Sequence, residues 1–262
     1  MNADFLLKID ALSVSFGGVK ALENYKLSLP PSRILGIIGP NGAGKTTLFN
    51  VLTGFIRPDS GHIHFNGQEI TRWEPYQIAR LGISRSFQNI CLFGKLSVLD
   101  NVIVSCQIHE RTSFLSALSK TRAYKKNEKA LREKAWKLLC VFGLEKHADR
   151  RAMTLAYGDQ RRLEIARALA TAPKLLIIDE PAAGMNPNET QDLLDLILKL
   201  KEKFNLTIVL IEHNMNLVMQ LCEYIQVLNY GRLAAEGLPL EIQQNQEVID
   251  AYLGDTNNAG SN

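Results

Sequence analysis

The sequence has few cysteines and no cysteine pair. Four cysteines are scattered through 262 residues without a Cys-x-x-Cys spacing. Zinc sites and redox motifs need such a spacing, and small disulfide-stapled domains need a higher cysteine density. We therefore expect four free thiols in a reducing cytosolic environment: Cys91, Cys106, Cys140 and Cys222.

Long hydrophobic runs are also missing. The longest apolar stretches, such as LTIVLI at 206–211, are far shorter than the ~20 residues that a membrane-spanning helix needs. The N-terminal stretch MNADFLLKIDAL has Asp4 ahead of a short apolar run and no basic segment, which is not typical of a signal peptide. The sequence predicts a chain that cannot cross a membrane alone, so a transport role would require separate membrane subunits.

Excess charge of one sign is small. A formal charge of +3 does not by itself indicate nucleic acid or an anionic membrane. Nine basic residues and three acids lie between Glu110 and Lys137, as in an RNA- or lipid-binding patch. Apolar residues recur there at helical spacing, which favours the solvated face of an amphipathic helix instead. We expect no nucleic-acid partner, and an inward helix face formed by Leu131, Ala135, Leu138 and Leu139.

The first part of the chain has strand patterns. Residues 5–38 contain short, partly alternating runs, and RILGIIG at 33–39 is continuously apolar, as in a strand covered on both faces. SGHIHFNGQEI at 60–70 alternates around Asn66 and Gly67, which predicts a hairpin.

The last part alternates strands with a helix. KLLIIDE at 174–180 and LTIVLIEH at 206–213 are typical of buried strands, and a helical pattern that opens at Asn186 lies between them. This order predicts a right-handed βαβ unit in a parallel sheet. YIQVLNYGRLAAEG at 224–237 predicts a closing hairpin.

A glycine-rich segment follows the first buried strand. GPNGAGKTT at 39–47 fits the phosphate-loop pattern G-x-x-x-x-G-K-[ST] and opens an apolar helix. Its glycines let several N–H groups point at one spot, and the helix adds its positive end. Lys45 would neutralise phosphate charge, and the Thr46 hydroxyl would ligate Mg²⁺. We expect ATP to contact Gly39, Pro40, Asn41, Gly42, Ala43, Gly44, Lys45, Thr46 and Thr47.

Two acids follow a later buried-strand pattern. LLIIDE at 175–180 delivers Asp179 to a strand's carboxyl end, where α/β sheets bind ligands. We expect Asp179 to hold Mg²⁺, directly or through water, and Glu180 to reach a water in line with the γ-phosphate. Taken alone, the two acids are more typical of a helix start, but the phosphate loop upstream favours the catalytic interpretation.

Together these motifs resemble the nucleotide-binding subunits of ABC transporters over residues 5–254. The resemblance implies an α/β P-loop NTPase fold with a mostly parallel core sheet, an antiparallel β subdomain and a helical subdomain. It implies that the core and the β subdomain occupy about 5–90 and 160–240 and that the helical subdomain occupies about 91–160. It also implies a C-terminal helix at about 239–254 and a disordered tail at 255–262.

Further residues match the family pattern. Phe16, in VSFGGVKAL, matches the aromatic residue that stacks on adenine. Gln88, in RSFQNICLF, matches the glutamine that senses Mg²⁺ and the attacking water, and His213 matches the histidine that contacts the γ-phosphate. Residues 182–186 match the D-loop, with Asn186 where many members have Asp. The implied catalytic residues are Lys45, Gln88, Glu180 and His213. The implied Mg²⁺ ligands are Thr46, Gln88 and Asp179.

The family's signature, usually LSGGQ, closes over the ATP held by a second subunit. Here its position, residues 155–159, reads Leu155, Ala156, Tyr157, Gly158 and Asp159. Ala156 lacks the serine hydroxyl that would bond the phosphate, and a hydrogen bond to a charged group is worth roughly 1.5–3 kcal/mol. Asp159 would repel the phosphate, cap the following helix or pair with Arg162.

Four segments narrow the resemblance: SRSFQNICLF, the tyrosine–glycine signature with RRLEIARAL, IDEPAAGMNP, and the ending EVIDAYLG. Together they resemble the ATP-binding subunits of branched-chain amino acid importers. This implies a second, non-identical ATP-binding subunit, two membrane permease subunits, an extracytoplasmic solute-binding protein and a peripheral place on the cytoplasmic face of the bacterial plasma membrane. Leu92 and Phe93 would dock a permease helix or form a buried turn.

Two other functions stay open from the sequence. One is the ATPase subunit of a lipid or lipopolysaccharide exporter. The other is a soluble ABC ATPase outside transport, against which stand the single cassette, the scattered cysteines and the lack of a long coiled-coil insertion.

Overall fold

A computed structural model of the chain describes residues 5–86, 90–110, 122–246 and 248. Gln88 lies outside the described residues, as do residues 249–262. The proposed roles of Gln88, the end of the C-terminal helix and the 255–262 tail therefore stay predictions.

One sheet has four antiparallel strands. It follows the order β2, β1, β4, β5, and the hairpin that the sequence predicts at Asn66 and Gly67 is confirmed by positive φ angles of 52° and 79°. The strands are β1 (Leu7–Phe16), β2 (Val19–Leu29), β4 (Ser60–Phe65) and β5 (Gln68–Glu69).

The other sheet has six strands in the order β10, β9, β3, β8, β7, β6. All neighbours pair in parallel except β10 and β9, which form the predicted closing hairpin. β3, β7 and β8 are wholly buried, as their continuous apolar runs predict. The strands are β3 (Ile34–Ile38), β6 (Ile83–Ser86), β7 (Leu175–Asp179), β8 (Thr207–Ile211), β9 (Tyr224–Asn229) and β10 (Arg232–Gly237).

Helices cover the six-stranded sheet, and α3, α4 and α5 pack on one another. The predicted inward face of α4 is confirmed: Leu131, Ala135, Leu138 and Leu139 are buried, and the basic residues between Lys125 and Lys137 are exposed. None of the helices in the described ranges combines the length and apolar character of a bilayer span. The helices are α1 (Lys45–Leu52), α2 (Pro75–Leu81), α3 (Val98–Cys106), α4 (Arg122–Phe142), α5 (Tyr157–Ala170), α6 (Pro187–Phe204), α7 (Met215–Leu221) and α8 (Pro239–Gln243).

The six-stranded sheet separates two hydrophobic cores. Alternate side chains of each strand point to opposite faces, so Leu35 and Ile37 join the core under the antiparallel sheet and α1. Ile34 and Ile38 join the core formed with α3 to α7. A strand buried on both faces is fixed in position, and its carboxyl end is therefore a rigid support for a site.

Asn186 caps α6. Its Oδ1 accepts a hydrogen bond from the Glu189 N–H at 2.9 Å, and Glu189 Oε2 accepts one from the Asn186 N–H at 3.0 Å. This reciprocal capping box satisfies two helix-end donors. Asparagine therefore retains the local role that an aspartate would have at this position.

We predict that Asn186→Ala lowers the free energy of unfolding by about 1 kcal/mol, since a lost asparagine cap costs that much in general. Asn186→Asp should have the same midpoint of urea unfolding as the wild type, because aspartate caps a helix equally well. The control is Asn188→Ala, which changes an exposed asparagine two residues further along the chain. Equal losses for Asn186→Ala and Asn188→Ala in urea titrations would contradict a specific cap.

Candidate functional site

The carboxyl ends of three parallel strands meet at one edge of the sheet. Ile37 of β3 and Asp179 of β7 both lie beside Ile211 of β8. The Glu180 N–H continues this ladder by donating to the Ile211 carbonyl at 3.0 Å. The glycine loop (residues 39–47), the acid pair Asp179–Glu180 and His213 therefore emerge side by side.

The glycine loop has backbone positions that only glycine fits. Gly39 has φ 146°, and a Cβ there would lie 2.0 Å from the Leu228 carbonyl oxygen. Gly44 has φ 102°, and its Cβ would lie 2.4 Å from the Ala21 carbonyl oxygen. The loop therefore packs closely against β2 and β9, and these contacts restrict its course.

Lys45 is folded into this loop. Its Nζ donates to the Gly39 carbonyl at 2.6 Å and to the Pro40 carbonyl at 2.9 Å, and the residue is buried. α1 begins at Lys45 without a side-chain cap and without an acid in its first turn. The loop thus offers a cation and helix-end N–H groups in one place, which suits a phosphate.

The remaining loop residues line its open side. Asn41, Gly42 and Thr46 are exposed, whereas Ala43 is buried. Phe16 is 49% exposed at the end of β1, on the hairpin whose Ala21 approaches Gly44. An aromatic face near the loop is thus accessible for stacking.

Asp179 and Glu180 have different surroundings. Asp179 Oδ2 lies 2.6 Å from Arg85 Nη2, and both side chains are less than 10% exposed. Glu180 has φ 42°, in the left-handed region that non-glycine residues rarely adopt. Its Oε1 lies 3.6 Å from His213 Nδ1. The predicted water-activating acid and the predicted phosphate-contacting histidine are therefore neighbours.

Arg161 fixes the backbone of Glu180, which the sequence did not indicate. This fully buried guanidinium of α5 donates from Nη2 to the Glu180 carbonyl at 3.2 Å and from Nη1 to Glu164 Oε2 at 2.8 Å. The only sequence signal was an Arg–Glu pair three residues apart, which is more often found on a surface.

Glu212 is a second residue that the sequence analysis missed. Its carboxylate accepts hydrogen bonds from the N–H groups of Ala182, His213 and Asn214 at 3.3 to 3.4 Å. Burial raises the pKa of Glu212, and the nearby charge of Glu180 adds to the rise. The side chain ties the segment after the acid pair to the segment that carries His213.

The signature segment (residues 155–159) opens α5 and packs on residues 182–186. The Tyr157 hydroxyl donates to the Ala183 carbonyl at 3.0 Å. Gly158 is buried, and a Cβ there would lie 3.4 Å from Met185 Cε. This contact places the signature segment and the predicted D-loop side by side within one chain.

Asp159 does not pair with Arg162, so that alternative is wrong. Arg162 Nη2 instead lies 3.5 Å from Asp192 Oδ2 on α6, and Asp159 Oδ2 lies 3.9 Å from His147 Nε2. The N-cap residue of α5, Ala156, makes no side-chain cap. Each of the two side chains therefore lies beside a residue that is distant in sequence, and not beside the other one three positions away on the same helix.

An apolar cleft of about 400 Å³ lies between α2, β6 and α5. Phe55 and Tyr76, on its wall, are more than half exposed. Phe93 is also exposed and stacks beneath the Arg167 guanidinium at 4.7 Å, whereas Leu92 is partly buried against the core. Of the two residues predicted to dock a helix, the structure exposes Phe93 beside this cleft and packs Leu92 inward.

The donor set at the sheet edge fits a magnesium–nucleotide complex. Mg²⁺ prefers oxygen ligands and is usually held by one or two carboxylates together with substrate phosphates. Asp179, at the end of β7, and the exposed residue Thr46, in the first turn of α1, supply such oxygens. Among the described residues no cluster of three or more His, Cys, Asp or Glu side chains would hold a metal alone.

Comparisons with known proteins agree with this geometry. The ABC transporter family model matches residues 22–183, and a model for branched-chain amino acid ATP-binding cassette transporters matches residues 232–256. The high-affinity branched-chain amino acid transport ATP-binding proteins BraF of Pseudomonas aeruginosa and LivG of Escherichia coli are each 46% identical to the chain. Each match covers 95% of this chain and 98% of the relative.

Solved structures give the same result. A nucleotide-free ATP-binding cassette from an ABC transporter superposes with a TM-score of 0.81 at 33% identity, covering 94% of this chain and 98% of that one. The ADP conformation of an ATP-binding cassette superposes with a TM-score of 0.82 at 34% identity, covering 95% and 98%.

Proposed function

We propose that this chain, which belongs to the ABC transporter family, is the ATP-hydrolysing subunit of a branched-chain amino acid importer. The observation that carries the proposal is the convergence of the glycine loop, the acid pair and His213 at one sheet edge. The importer assignment is supported by relatives that share 46% identity over almost their whole length and are named high-affinity branched-chain amino acid transport ATP-binding proteins.

In the proposed site, the glycine loop binds the phosphates of ATP. Its N–H groups and the end of α1 face the β- and γ-phosphates, and the Lys45 ammonium exchanges its bonds to loop carbonyls for bonds to phosphate oxygens. Phe16 stacks on the adenine. Mg²⁺, when bound, supplies positive charge to the phosphates and is held by Thr46, Asp179 and Gln88.

Glu180 and His213 act on the attacking water and the γ-phosphate. Glu180 accepts a proton from the water, whose oxygen bonds to the γ-phosphorus while the bond between that phosphorus and the β–γ bridging oxygen breaks. ADP and phosphate result, and the proton on Glu180 is then released to phosphate or solvent. His213 holds the γ-phosphate. Because Glu180 is fixed by Arg161 and Ile211 at its backbone, its carboxylate needs little reorganisation in the transition state.

We expect Glu180→Gln to lower ATP turnover at least 100-fold, in line with the general contribution of acid–base groups, while ATP binding persists. Phosphate release and equilibrium binding of a fluorescent ATP analogue measure the two properties separately. The matched control is Glu202→Gln, an exposed glutamate on α6. Near wild-type turnover in Glu180→Gln would show that Glu180 is not the base that activates the water.

The signature segment acts across the interface with a second ATP-binding subunit. The open N-terminus of α5 faces the γ-phosphate held by that subunit's glycine loop, as helix N-termini favour anions. Ala156 contributes no hydroxyl there, and Asp159 brings a negative charge. The ATP molecule that this chain's signature segment covers is therefore bound more weakly than one covered by a signature segment that contains the serine.

Restoring the hydroxyl tests this weakness. Ala156→Ser should raise the ATPase rate of the assembled complex by about tenfold or more, since one hydrogen bond to a charged group is worth roughly 1.5–3 kcal/mol and about 1.4 kcal/mol is a factor of ten. The control is Ala130→Ser on the exposed face of α4. An unchanged rate in Ala156→Ser would show that the missing hydroxyl does not limit the complex.

The apolar cleft beside Phe93 docks a helix of a membrane permease subunit at the cytoplasmic face. Two permease subunits and an extracytoplasmic solute-binding protein complete the proposed importer. The cleft presents exposed aromatic side chains of a kind that anchor helices at interfaces, and it lies beside the strand that leads to Gln88.

We predict that Phe55→Ala reduces co-purification of the permease subunits severalfold, because it removes an exposed aromatic anchor from the cleft wall. ATP binding by the isolated chain should be unaffected. Trp136→Ala, which removes an aromatic residue of similar exposure from α4, serves as the control. Full co-purification of Phe55→Ala, or an equal loss in Trp136→Ala, would contradict docking in this cleft.

A further inference from the structure

Arg85 joins three elements of the proposed ATP site. Its Nη2 lies 2.6 Å from Asp179 Oδ2 at the end of β7, and its Nη1 donates to Asn50 Oδ1 of α1 at 2.8 Å. The guanidinium carbon also lies 5.8 Å from the centre of the Phe49 ring. Arg85 stands on β6, three residues before Gln88 in the sequence.

The Arg85–Asp179 pair is buried on both sides. The side chains are 6% and 8% exposed, so solvent screens their charges only weakly. A buried carboxylate that loses its partner is strongly unfavourable. The guanidinium therefore balances the charge of the carboxylate that is expected to hold Mg²⁺.

We propose that Arg85 is a positioning residue that acts as the resting counter-ion of Asp179 and weakens Mg²⁺ binding until ATP supplies phosphate charge. Either Mg²⁺ shares the carboxylate with a nearby cation, or the guanidinium leaves its buried place. Both routes make Mg²⁺ binding weaker than at an unpaired aspartate. The three phosphates of ATP add the negative charge that allows both cations to remain.

The inference rests on the proposed function, because it concerns the metal of the ATP site. It makes a different claim, however, since it concerns how much Mg²⁺ tightens nucleotide binding and not whether ATP is hydrolysed. The useful quantity is the tightening ratio, defined as the dissociation constant of a non-hydrolysable β,γ-imido ATP analogue in EDTA divided by that in Mg²⁺.

The experiment measures this ratio by calorimetry on the full chain. Arg85→Gln removes the charge but retains hydrogen-bond donors, and we expect its ratio to exceed the wild-type ratio at least about fivefold, at the lower end of typical coupling between two sites. Arg85→Lys retains the charge on a shorter side chain and should give a smaller increase. Arg57→Gln breaks an exposed pair with Glu74 and should match wild type.

The thermal unfolding midpoint separates this role from simple packing. Arg85→Gln should unfold at a lower temperature without ligand, because Asp179 loses its counter-ion, and should regain more stability than wild type from Mg²⁺ and the analogue. A purely structural role would lower the midpoint without raising the tightening ratio. If Arg85→Gln does not fold, the ratio of Arg85→Lys decides the matter.

The outcomes are distinguishable. An equal or smaller tightening ratio in Arg85→Gln, or in Arg85→Lys where only that variant folds, overturns the role of Arg85. A wild-type chain that binds no analogue with or without Mg²⁺ overturns the proposed function itself. A larger ratio in both variants with an unchanged Arg57→Gln ratio supports Arg85 as the opposing cation.

Discussion

The register between β3, β7 and β8 is the constraint on which the site depends. Ile37 and Asp179 flank the same residue, Ile211. A shift of one residue would turn each side chain of β7 to the opposite face of the sheet. Asp179 would then lose Arg85, and the acid pair would no longer lie beside His213. The buried Arg85–Asp179 pair opposes such a shift, because Asp179 would remain buried without its counter-ion.

Buried polar contacts hold this edge in a strained but fixed arrangement. Glu180 adopts a left-handed backbone conformation, which persists only when its surroundings impose it. Arg161 supplies one restraint and Glu212 fixes the neighbouring segments. Since Arg161 belongs to α5, the helix that the signature segment opens, movement of that helix would act directly on the backbone of Glu180.

The sequence predicted what depends on local pattern. The glycine loop, the buried strands and the Asn186 cap follow from spacing and residue type within a few positions. Arg85 and Asp179 are 94 residues apart, and no local rule joins them. Arg162 shows the same limit: a pair with Asp159 was one of the alternatives that the sequence offered, and Arg162 lies beside Asp192 of another helix instead. The ABC transporter resemblance is confirmed by the family match and the relatives, while the catalytic roles remain predictions.

The central claim is that residues 39–47, the acid pair and His213 form one ATP site. The most direct measurement is amide hydrogen exchange of the full chain by mass spectrometry, with and without Mg²⁺ and the β,γ-imido analogue. Our account predicts slower exchange at all three segments over the same range of analogue concentration. Slowing confined to the glycine loop, with no change at the acid pair and at His213, would contradict it.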